Sequence, residues 1–598
     1  MGFAQNSLDD RTASLYGTCS WKRLSLYPLM KSIACVLLCF LFATFLAHAQ
    51  GVGSSGEISG TVIDASGGVL PKATINVVDT QTGLKRTVMT NDTGQFRVVG
   101  LSPATYDVSA QMTGFATEIR RGIPVAIGQT VTSDFKMKPS QVATVVEVTD
   151  QPPVVETERG SQADRISQQY IADLPIDRRD YLTFTLLAPG VSDATRLAGD
   201  QDFRVKQTPQ SGLSFYGSNG RGNSITVDGG ETSGDSGGVR LTVSQDDVQE
   251  FQINRSNYGA ELGGATGASI NIVTKSGTDN VHGGLYGFFR DDAMDAQNPF
   301  SFTQALQAGQ TYNPLNPDTL GTPVKDTLTR QQFGGTLGFP IKKDKTFLFF
   351  GFEGLRQNAQ NAVPLLTNTA IFRPTAAQNA IIAALEANPS PTPAPCLPGF
   401  AAPPSECGVA LQSVLTLNPN PGGTNPFVSP GQSALNSYLL DQFETEGGLF
   451  PFDTREYLAS VRLDHHFDTN NEISVTYRYG HDLEESPDVN SLTAFSAGSS
   501  IHDYDNTLQA SWYRQLNPTT QNEARVQRNY YSFNVIPNEP AEVGLQIPSF
   551  INNVGTNIFL PNLTILRRYE FADNFTKIRG NHTLKFGAYE LLRGNHTE

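Results

Sequence analysis

The side chains most able to do chemistry are few and poorly placed for catalysis. His465 and His466 are the one adjacent histidine pair in the 598 residues, but neighbours on a strand point to opposite faces and cannot easily share a metal. The H-E-x-x-H spacing of zinc hydrolases does not occur. The glycines from Gly263 to Gly267 lack the Lys-Ser/Thr of a phosphate-binding loop. We therefore predict that the chain is not an enzyme and has no catalytic residue, cofactor or metal site.

Two charged segments could bind ions but have simpler explanations. Residues 177–180, Asp-Arg-Arg-Asp, are typical of a solvated or salt-bridged turn. Residues 245–250 contain three acidic side chains that could attract a cation. Calcium loops, however, need oxygen ligands at loop spacing and a glycine turn, whereas this segment continues into an alternating strand. We expect neither segment to be a binding site.

The composition excludes one class of partner and favours one class of structure. The formal net charge is −15, and no basic stripe interrupts it; phosphate binding needs clustered Lys and Arg, so nucleic acid is not an expected partner. Charged residues make up 17% of the chain, below the roughly 25% of soluble globular proteins. The many Gly and aromatic residues are typical of short strands joined by turns.

The first fifty residues carry the parts of an export signal. Positive charge at Lys31 precedes an apolar run over residues 33–46, and an A-x-A pattern ends at Ala49, just before Gln50. This order predicts cleavage between Ala49 and Gln50. The alternative, a membrane anchor, needs about 20 apolar residues, more than this run supplies. The prediction is a signal peptide over residues 1–49, with a possible over-extended start over residues 1–29.

Cleavage would leave two cysteines, Cys396 and Cys407, in a Pro-rich stretch. An exported chain occupies a compartment that permits disulfides. No His or further Cys stands nearby at ligand spacing. We therefore predict a local loop disulfide between Cys396 and Cys407.

Residues 57–139 alternate as short strands separated by turn signals, which predicts a small all-β sandwich. Four motifs occur in order: G-x-V-x-D at residues 60–64, P-x-A-x-I-x-V at 71–77, T-N-D-T-G-x-F at 90–96 and L-x-P-A-T-Y at 101–106. This order resembles the carboxypeptidase regulatory-like domain. Despite its name, the resemblance implies no peptidase activity.

A second group of motifs follows within about 75 residues. These are V-D-G at 227–229, V-Q-E-F at 248–251, Y-G-A-E-x-G at 258–263, N-I-V-T-K-S-G-T at 271–278 and H-G-x-x-Y-x-F-F-R at 282–290. Their order resembles the plug-to-barrel junction of Oar-like TonB-dependent outer-membrane receptors. The resemblance implies a plug domain whose glycines permit close backbone packing, followed by a transmembrane barrel.

Receptors of this kind carry a short energy-coupling motif ahead of the plug. The segment Thr144-Val145-Val146-Glu147-Val148 resembles that motif. It would pair by strand addition with a TonB-type periplasmic coupling protein, through backbone hydrogen bonds. The alternative is that this segment is simply the first strand of the next domain.

Beyond residue 277, segments such as 457–465, 473–479, 508–512 and 584–588 alternate apolar with polar residues. A transmembrane barrel strand has this pattern, and so does a soluble antiparallel sheet. The links discriminate better, because bacterial barrels have short periplasmic turns and long extracellular loops. Long and short links alternate here: long at 290–331, 357–454, 480–501 and 535–566, short at 339–346, 468–471, 517–518 and 579–581.

The predicted fold is mainly β, with an N-terminal β-sandwich, a small α+β plug and an antiparallel transmembrane β-barrel. About nine strands can be counted, whereas transporter barrels close at about 22, so the barrel is expected to be incomplete and the chain a fragment. The predicted domains are a signal peptide (1–49), a carboxypeptidase regulatory-like sandwich (57–139), a plug (140–277) and the first part of the barrel (278–598).

The predicted function is import of a ligand across the outer membrane, with the TonB-type coupling protein and outer-membrane lipid as partners. The sequence does not name the ligand; the resemblance favours an oligosaccharide or peptide over a siderophore. The alternative is a cell-surface adhesion or structural protein built on the same scaffold, since a fold does not fix a function.

Overall fold

The computed structural model describes residues 55–140, 145–148, 161–174, 176, 179, 181–193, 213–218, 222–233, 243–262, 264–305, 320–363, 368–397, 400–418, 430–489, 493–539, 545–547, 551–557, 560–580 and 582–597. The predicted signal peptide, its cleavage site at Ala49 and Gln50, and Thr144 lie outside the described residues. Within these ranges, no helix has both the length and the apolar character needed to span a bilayer. The fold prediction of a mainly β chain with an antiparallel sheet of about nine strands is confirmed.

The first unit, which we call the sandwich, is formed by two sheets packed face to face. One has the order β4-β1-β7 with β8 also on β1, and the other has the order β3-β2-β5-β6-β9. Alternate residues point inward, as in β3, whose burial alternates along the strand. The strands are β1 Gly56–Asp64, β2 Thr74–Asp79, β3 Lys85–Met89, β4 Gln95–Leu101, β5 Ala104–Gln111, β6 Thr117–Val125, β7 Thr130–Thr132, β8 Phe135–Met137 and β9 Val145–Val148.

The next unit, which we call the central module, spans residues 161–277 and has a sheet of order β10-β15-β16-β13-β14. All six residues of β16 are buried, and its polar Asn271 accepts a hydrogen bond from Thr226 at 2.8 Å, so this strand is enclosed on both faces. The elements are β10 Gln162–Ser167, α1 Gln168–Asp173, β11 Val191–Asp193, β12 Leu213–Phe215, β13 Ser224–Val227, β14 Gly230–Glu231, β15 Val248–Ser256 and β16 Ser269–Thr274.

The third unit, the large sheet, has nine strands in the antiparallel order β17-β18-β19-β23-β24-β25-β26-β29-β30, with the short β22 also on β19. Each strand on this path pairs with the strand that follows it along the path. The strands are β17 His282–Asp291, β18 Leu328–Lys342, β19 Thr346–Val363, β22 Gly448–Pro451, β23 Thr454–Asp468, β24 Asn471–Glu485, β25 Ser499–Asn517, β26 Thr520–Pro537, β29 Asn562–Arg579 and β30 His582–Thr597.

The link between β19 and β23 is folded rather than extended. It contains α2 Ala376–Glu386, β20 Ala394–Leu397, β21 Phe400–Ala402, α3 Pro404–Leu415 and α4 Pro430–Thr445. A capping box begins α2, in which Thr375 and Gln378 exchange hydrogen bonds. Cys396 and Cys407 are joined by a disulfide, with Cα atoms 5.8 Å apart. The helices were not predicted, since the Pro-rich composition favoured a loop.

The long links also pack on one another. Val363 at the end of β19, Leu440 in α4, Val489 after β24 and Val554 in a later link form one buried apolar cluster. The last of these belongs to the hairpin β27 Leu545–Ile547 and β28 Ile551–Val554. The long-link end of the large sheet therefore has a small core of its own.

The sandwich core makes a testable prediction. Phe135 is fully buried, its ring centre lies 5.9 Å from that of Phe96, and the Arg120 guanidinium stacks on it at 5.2 Å. Phe135→Ala should lower the free energy of unfolding of the sandwich by about 3–5 kcal/mol, because a buried aromatic leaves a cavity. Met89→Ala, at an exposed position, is the control and should cost less than about 0.5 kcal/mol. Urea unfolding followed by hydrogen exchange of the sandwich in the whole chain measures both; equal midpoints for the two variants would contradict the assignment.

Candidate functional site: the inner face of the large sheet

The large sheet has its polar side buried and its apolar side exposed. The side chains of Arg478, Arg525 and Arg568 are each no more than 1% exposed. Large apolar side chains on the opposite face are open to the surroundings, Leu285 at 93% and Trp512 at 43%. A soluble protein arranges its residues the other way round. This inversion is typical of a sheet with lipid on one face and protein on the other.

Asp228 of the central module contacts two arginines of the large sheet. Its carboxylate lies 3.4 Å from Nη1 of Arg462 and 3.6 Å from Nη1 of Arg478. The backbone N–H and hydroxyl of Thr274 donate to the same carboxylate at 2.9 and 2.8 Å, and Gln509 donates to the Asp228 carbonyl at 2.8 Å. A buried guanidinium is costly without a counter-charge, so Asp228 joins the module to the sheet at this point.

Asp247 makes a second contact, without an ion pair. The Ser460 hydroxyl of β23 donates to its Oδ2 at 2.8 Å. Gly351 of β19 faces it, and a Cβ at that position would overlap the carboxylate. Burial raises the pKa of Asp247 to about 7; the nearby Glu353 acts in the same direction, and the hydrogen bond from Ser460 opposes it. The carboxyl is therefore held in the space that a glycine leaves in the facing strand.

Arg179 makes a third contact between the central module and the large sheet, near β17. Its Nη2 lies 2.6 Å from Asp246 and its Nε 3.6 Å from Oε2 of Glu353. The guanidinium also stacks over the ring of Tyr286 at 4.1 Å. The Tyr286 hydroxyl donates to Glu353 at 2.6 Å, and so does Nε2 of Gln332. Arg179 thus joins the central module to the sheet, whereas the other three residues of the predicted salt-bridged turn, 177, 178 and 180, lie outside the described residues.

The hairpin of β13 and β14 contacts β29, near the C-terminal edge of the large sheet. The fully buried Glu570 lies 3.4 Å from Nε of Arg525 and accepts the backbone N–H of Glu231 at 2.9 Å. Arg568 donates to the carbonyl of Ser233. Glu570 and Arg568 are buried away from water, and hydrogen bonds to backbone groups of the module replace those that water would make.

The sandwich lies against the ends of the strands that carry the short turns. Nη2 of Arg86 is 3.6 Å from Oε2 of Glu472, which follows the turn between β23 and β24. Arg97 donates at 3.1 Å to the hydroxyl of Thr583, which follows the turn between β29 and β30. Gly100 approaches the side chain of Gln521, and its positive φ of 68° suits glycine. Short turns lie on the periplasmic side of bacterial barrels.

A polar cavity of about 380 Å³ lies where the three units meet. Burial raises the pKa of Asp79, on the sandwich side. His466 and Glu472 are 3.8 Å apart across the cavity wall, whereas His465 contacts Thr346 instead, so the two histidines do face opposite ways. Residues lining the cavity include Asp79, Tyr106, Lys275, Arg462, His466 and Glu472.

The segment with the coupling-motif resemblance is found in the sandwich. Residues 145–148 form β9, which pairs in parallel with β6. It therefore joins the preceding sheet and not the central module that follows it. The structure does not make it the first strand of the next domain, which was the alternative.

The acidic segment that could have attracted a cation is occupied by protein contacts. Asp246 pairs with Arg179, Asp247 contacts Ser460, and Oε1 of Glu250 accepts the backbone N–H of Ile127 at 2.5 Å. In the described part of the chain, no group of three or more His, Cys, Asp or Glu side chains is arranged to hold a metal.

Two short patterns in the sequence resemble those of hydrolases. Residues 234–238, G-D-S-G-G, fit G-x-S-x-G but lie outside the described residues. His481 and Glu484 fit H-x-x-E, but they stand three apart on β24, at positions whose side chains point to opposite faces. Sequence reasoning also missed the partners of the buried arginines; charged residues on the polar face of otherwise apolar strands were the available signal.

Comparisons with known proteins agree with this architecture. Residues 273–597 match the family model "Outer membrane beta barrel domain", and residues 57–138 match "Carboxypeptidase regulatory-like domain". A curated relative, the TonB-dependent transporter Oar of Myxococcus xanthus, is 27% identical over 321 residues, which cover 52% of this chain and 28% of that protein. The predicted resemblance to Oar-like receptors is confirmed. The chain spans little more than a quarter of the length of this relative.

Similar solved structures include the outer membrane transporter YddB of Escherichia coli, with a TM-score of 0.42, 11% identity and coverage of 73% of this chain and 48% of that one. A mutant of the ferric enterobactin receptor PfeA of Pseudomonas aeruginosa has a TM-score of 0.35, 13% identity and coverage of 73% and 58%.

The contact at Asp228 makes a prediction. Asp228→Asn removes the carboxylate that lies 3.6 Å from the buried Arg478, whereas Arg462 keeps Asp464 at 3.0 Å. Leaving a buried guanidinium without its carboxylate is expected to cost about 3–5 kcal/mol locally. Hydrogen exchange of residues 224–233 and 269–274 should therefore accelerate. Asp295→Asn is the control, since it breaks an exposed ion pair with Arg290 that is worth at most about 1 kcal/mol. Equal protection in both variants would mean that the ion pairs at Asp228 do not hold the module.

The raised pKa of Asp247 predicts that the stability of the central module depends on pH. In the unfolded chain its carboxyl ionises near its ordinary value of 3.8, and in the folded chain near 7, so the folded state binds more protons between these values. Stability of the central module should therefore fall as pH rises from about 4 to about 7 and level off above that. Asp247→Asn should remove this part of the slope.

The measurement is the urea concentration at which trypsin reaches the central module, at about pH 5 and about pH 8. Asp246→Asn is the matched control and should keep the slope, although it loses the ion pair with Arg179. A slope that survives in Asp247→Asn would assign the pH dependence to another group.

Proposed function

We propose, on the premise that this chain belongs to the outer membrane β-barrel family over residues 273–597, that it is a TonB-dependent receptor importing a ligand into the periplasm. The single observation that carries this proposal is the central module on the polar face of the large sheet. It is held there through side chains that can exchange partners: ion pairs at Asp228 and Arg179, and hydrogen bonds at Asp247 and Glu570.

On this proposal the central module, residues 161–277, is the plug, and residues 278–598 contribute strands to the barrel. The plug domain was predicted to begin at residue 140, but residues 145–148 pair with the sandwich. The sandwich is a carboxypeptidase regulatory-like domain on the periplasmic side, because it contacts the short-turn ends of the strands. The chain does no chemistry on its ligand. Work on the plug comes from the TonB-type protein, which pairs with the segment Thr144 to Val148.

Polar contacts suit a plug that has to move. Water that enters between the module and the sheet can replace these polar contacts, and the net contribution of one hydrogen bond is only about 0.5–1.5 kcal/mol, or about 1.5–3 kcal/mol when one partner is charged. An apolar contact of the same area would resist separation more strongly. The cavity at the junction of the three units already leaves a polar space between the module and the sheet.

The extracellular side is proposed to bind the ligand. The long links carry helices α2, α3 and α4 and share an apolar core, so they form an ordered surface. An oligosaccharide or a peptide, rather than a siderophore, remains our proposal for the ligand. Export through a signal peptide over residues 1–49, cleaved after Ala49, also remains a prediction.

The experiment is uptake of a labelled peptide mixture and a labelled oligosaccharide mixture by cells that carry the chain in their outer membrane. Deleting the coupling protein should reduce uptake to background, because no other energy source acts on the plug. Val146→Pro should do the same, since proline removes a backbone donor needed for strand pairing. Val146→Ala is the matched control; it keeps the backbone donor and should keep most of the uptake.

Uptake that is indifferent to the coupling protein would contradict the proposed function. Adhesion of cells to a surface provides the second readout, because the alternative function as an adhesion protein needs no energy. If Val146→Pro leaves adhesion intact and no mixture enters the wild-type cells, the adhesion function is the better description.

A further inference from the structure

The outward face of the large sheet changes from apolar to polar near its long-link end. On β19 the exposed Phe350 is followed on the same face, toward the long link, by the exposed Arg356. On β23 the same face passes from Val461 to Tyr457 and then to Arg455 in that direction. The apolar band of an outer-membrane barrel ends in a girdle of aromatic residues at each interface, and long loops lie on the extracellular side. This change therefore marks the headgroup layer of the outer leaflet.

Two arginines meet at this level. Arg356 of β19 and Arg455 of β23 are direct partners in the strand register, and both side chains are exposed. Residues paired in this way have Cβ atoms about 4.5–5.5 Å apart on one face, where like charges repel. Glu485 lies two residues beyond the register partner of Arg455 on the next strand. Among the residues that the structure describes, however, neither arginine forms an ion pair, so the two charges lack a counter-charge.

A tyrosine holds one of these arginines in place. Nε of Arg356 donates to the hydroxyl of Tyr457 at 2.9 Å, and the guanidinium carbon lies 5.8 Å from the centre of the tyrosine ring. Its two Nη atoms make no hydrogen bond to any described residue. The guanidinium is therefore oriented on one side by Tyr457 and has donors left for an anion on the other side.

The same combination of tyrosine and arginine recurs farther round the sheet. Tyr479, Tyr504 and Tyr530 of three successive strands contact one another edge to face, with ring centres 5.5 and 6.0 Å apart. Arg567 of the next strand stacks over Tyr530 at 5.9 Å. Tyrosine is enriched at membrane interfaces because its ring is apolar and its hydroxyl polar. The tyrosines support the assignment of this level to the headgroup layer.

We propose that Arg356 and Arg455 together bind a phosphate of a lipid headgroup in the outer leaflet of the outer membrane. The planar guanidinium presents its donors in a fork that matches two phosphate oxygens, and two such groups side by side can share one phosphate. The anion also removes the repulsion between them. This inference goes beyond the proposed import function, because it uses only the outer-membrane family and the side on which the long links lie.

Charge and position favour a lipid over other occupants. A second copy of this chain would bring the same two arginines against each other, and their charges would repel. An acidic segment of a soluble protein would have to enter the headgroup layer to reach a face that continues directly into the apolar band. A lipid phosphate is already present at that level, so its binding requires no such insertion.

The test measures lipid binding to the full chain, purified in a neutral detergent, by native mass spectrometry. The probes are diphosphorylated lipid A and the same lipid after removal of both phosphates. The double variant R356Q/R455Q removes both charges, and R356K/R455K keeps them. Arg514→Gln is the matched control, because Arg514 stacks over Trp512 at 5.7 Å on the same outward face but near the short-turn end of β25.

The wild-type chain should bind the phosphorylated lipid at least about tenfold more tightly than the dephosphorylated one. R356Q/R455Q should lower this preference at least about fivefold, whereas R514Q should stay within about twofold of the wild type and R356K/R455K should retain part of the preference. Equal affinity of the wild-type chain for the two lipids, or binding of neither, would overturn the inference, and that comparison needs no folded variant. A preference that survives in R356Q/R455Q, or that R514Q abolishes equally, would place the phosphate elsewhere and would overturn it too. Displacement of the lipid by inorganic phosphate would show a site for a free anion in place of a lipid.

Discussion

A sheet that crosses a lipid bilayer must present apolar side chains outward, and its charged side chains must then find partners inside. In this chain that constraint places Arg478, Arg525 and Arg568 on the inner face, almost completely out of solvent. An unpaired buried guanidinium would be strongly destabilising. The central module meets the requirement with a carboxylate at Asp228 and with the carbonyl of Ser233.

The same constraint explains how three units of different construction fit together. The sandwich has a buried apolar core, as soluble proteins have. Its contacts with the sheet, in contrast, include polar ones at Arg86 and Arg97. The central module has an apolar core, like the sandwich. Its outer surface is polar where it contacts the inner face of the sheet. A unit held in this way can keep its fold while its contacts with the wall are exchanged.

Much of this could be predicted from the sequence, because alternation of apolar and polar residues and the lengths of links are local properties. The strands of the large sheet and the sandwich followed from them. The partners of the inner charges could not be predicted, since Asp228 and Arg462 are 234 residues apart and strand register does not show which module side chain faces which strand. The position of β9 was missed for a related reason: strand propensity predicts a strand but not its neighbour. The helices between β19 and β23 were missed because a Pro-rich composition hides short amphipathic segments.

The most direct test of the account is which face of β23 lies in lipid. Spin labels placed one at a time on cysteines at Tyr457, Leu458, Ala459, Ser460 and Val461 can be compared for collision with oxygen, which concentrates in the bilayer, and with a water-soluble relaxation agent. We expect strong oxygen collision at 457, 459 and 461 and protection from both agents at 458 and 460, whose side chains are buried. The opposite phase, or no alternation along the strand, would contradict the inverted sheet on which the rest of the structure depends.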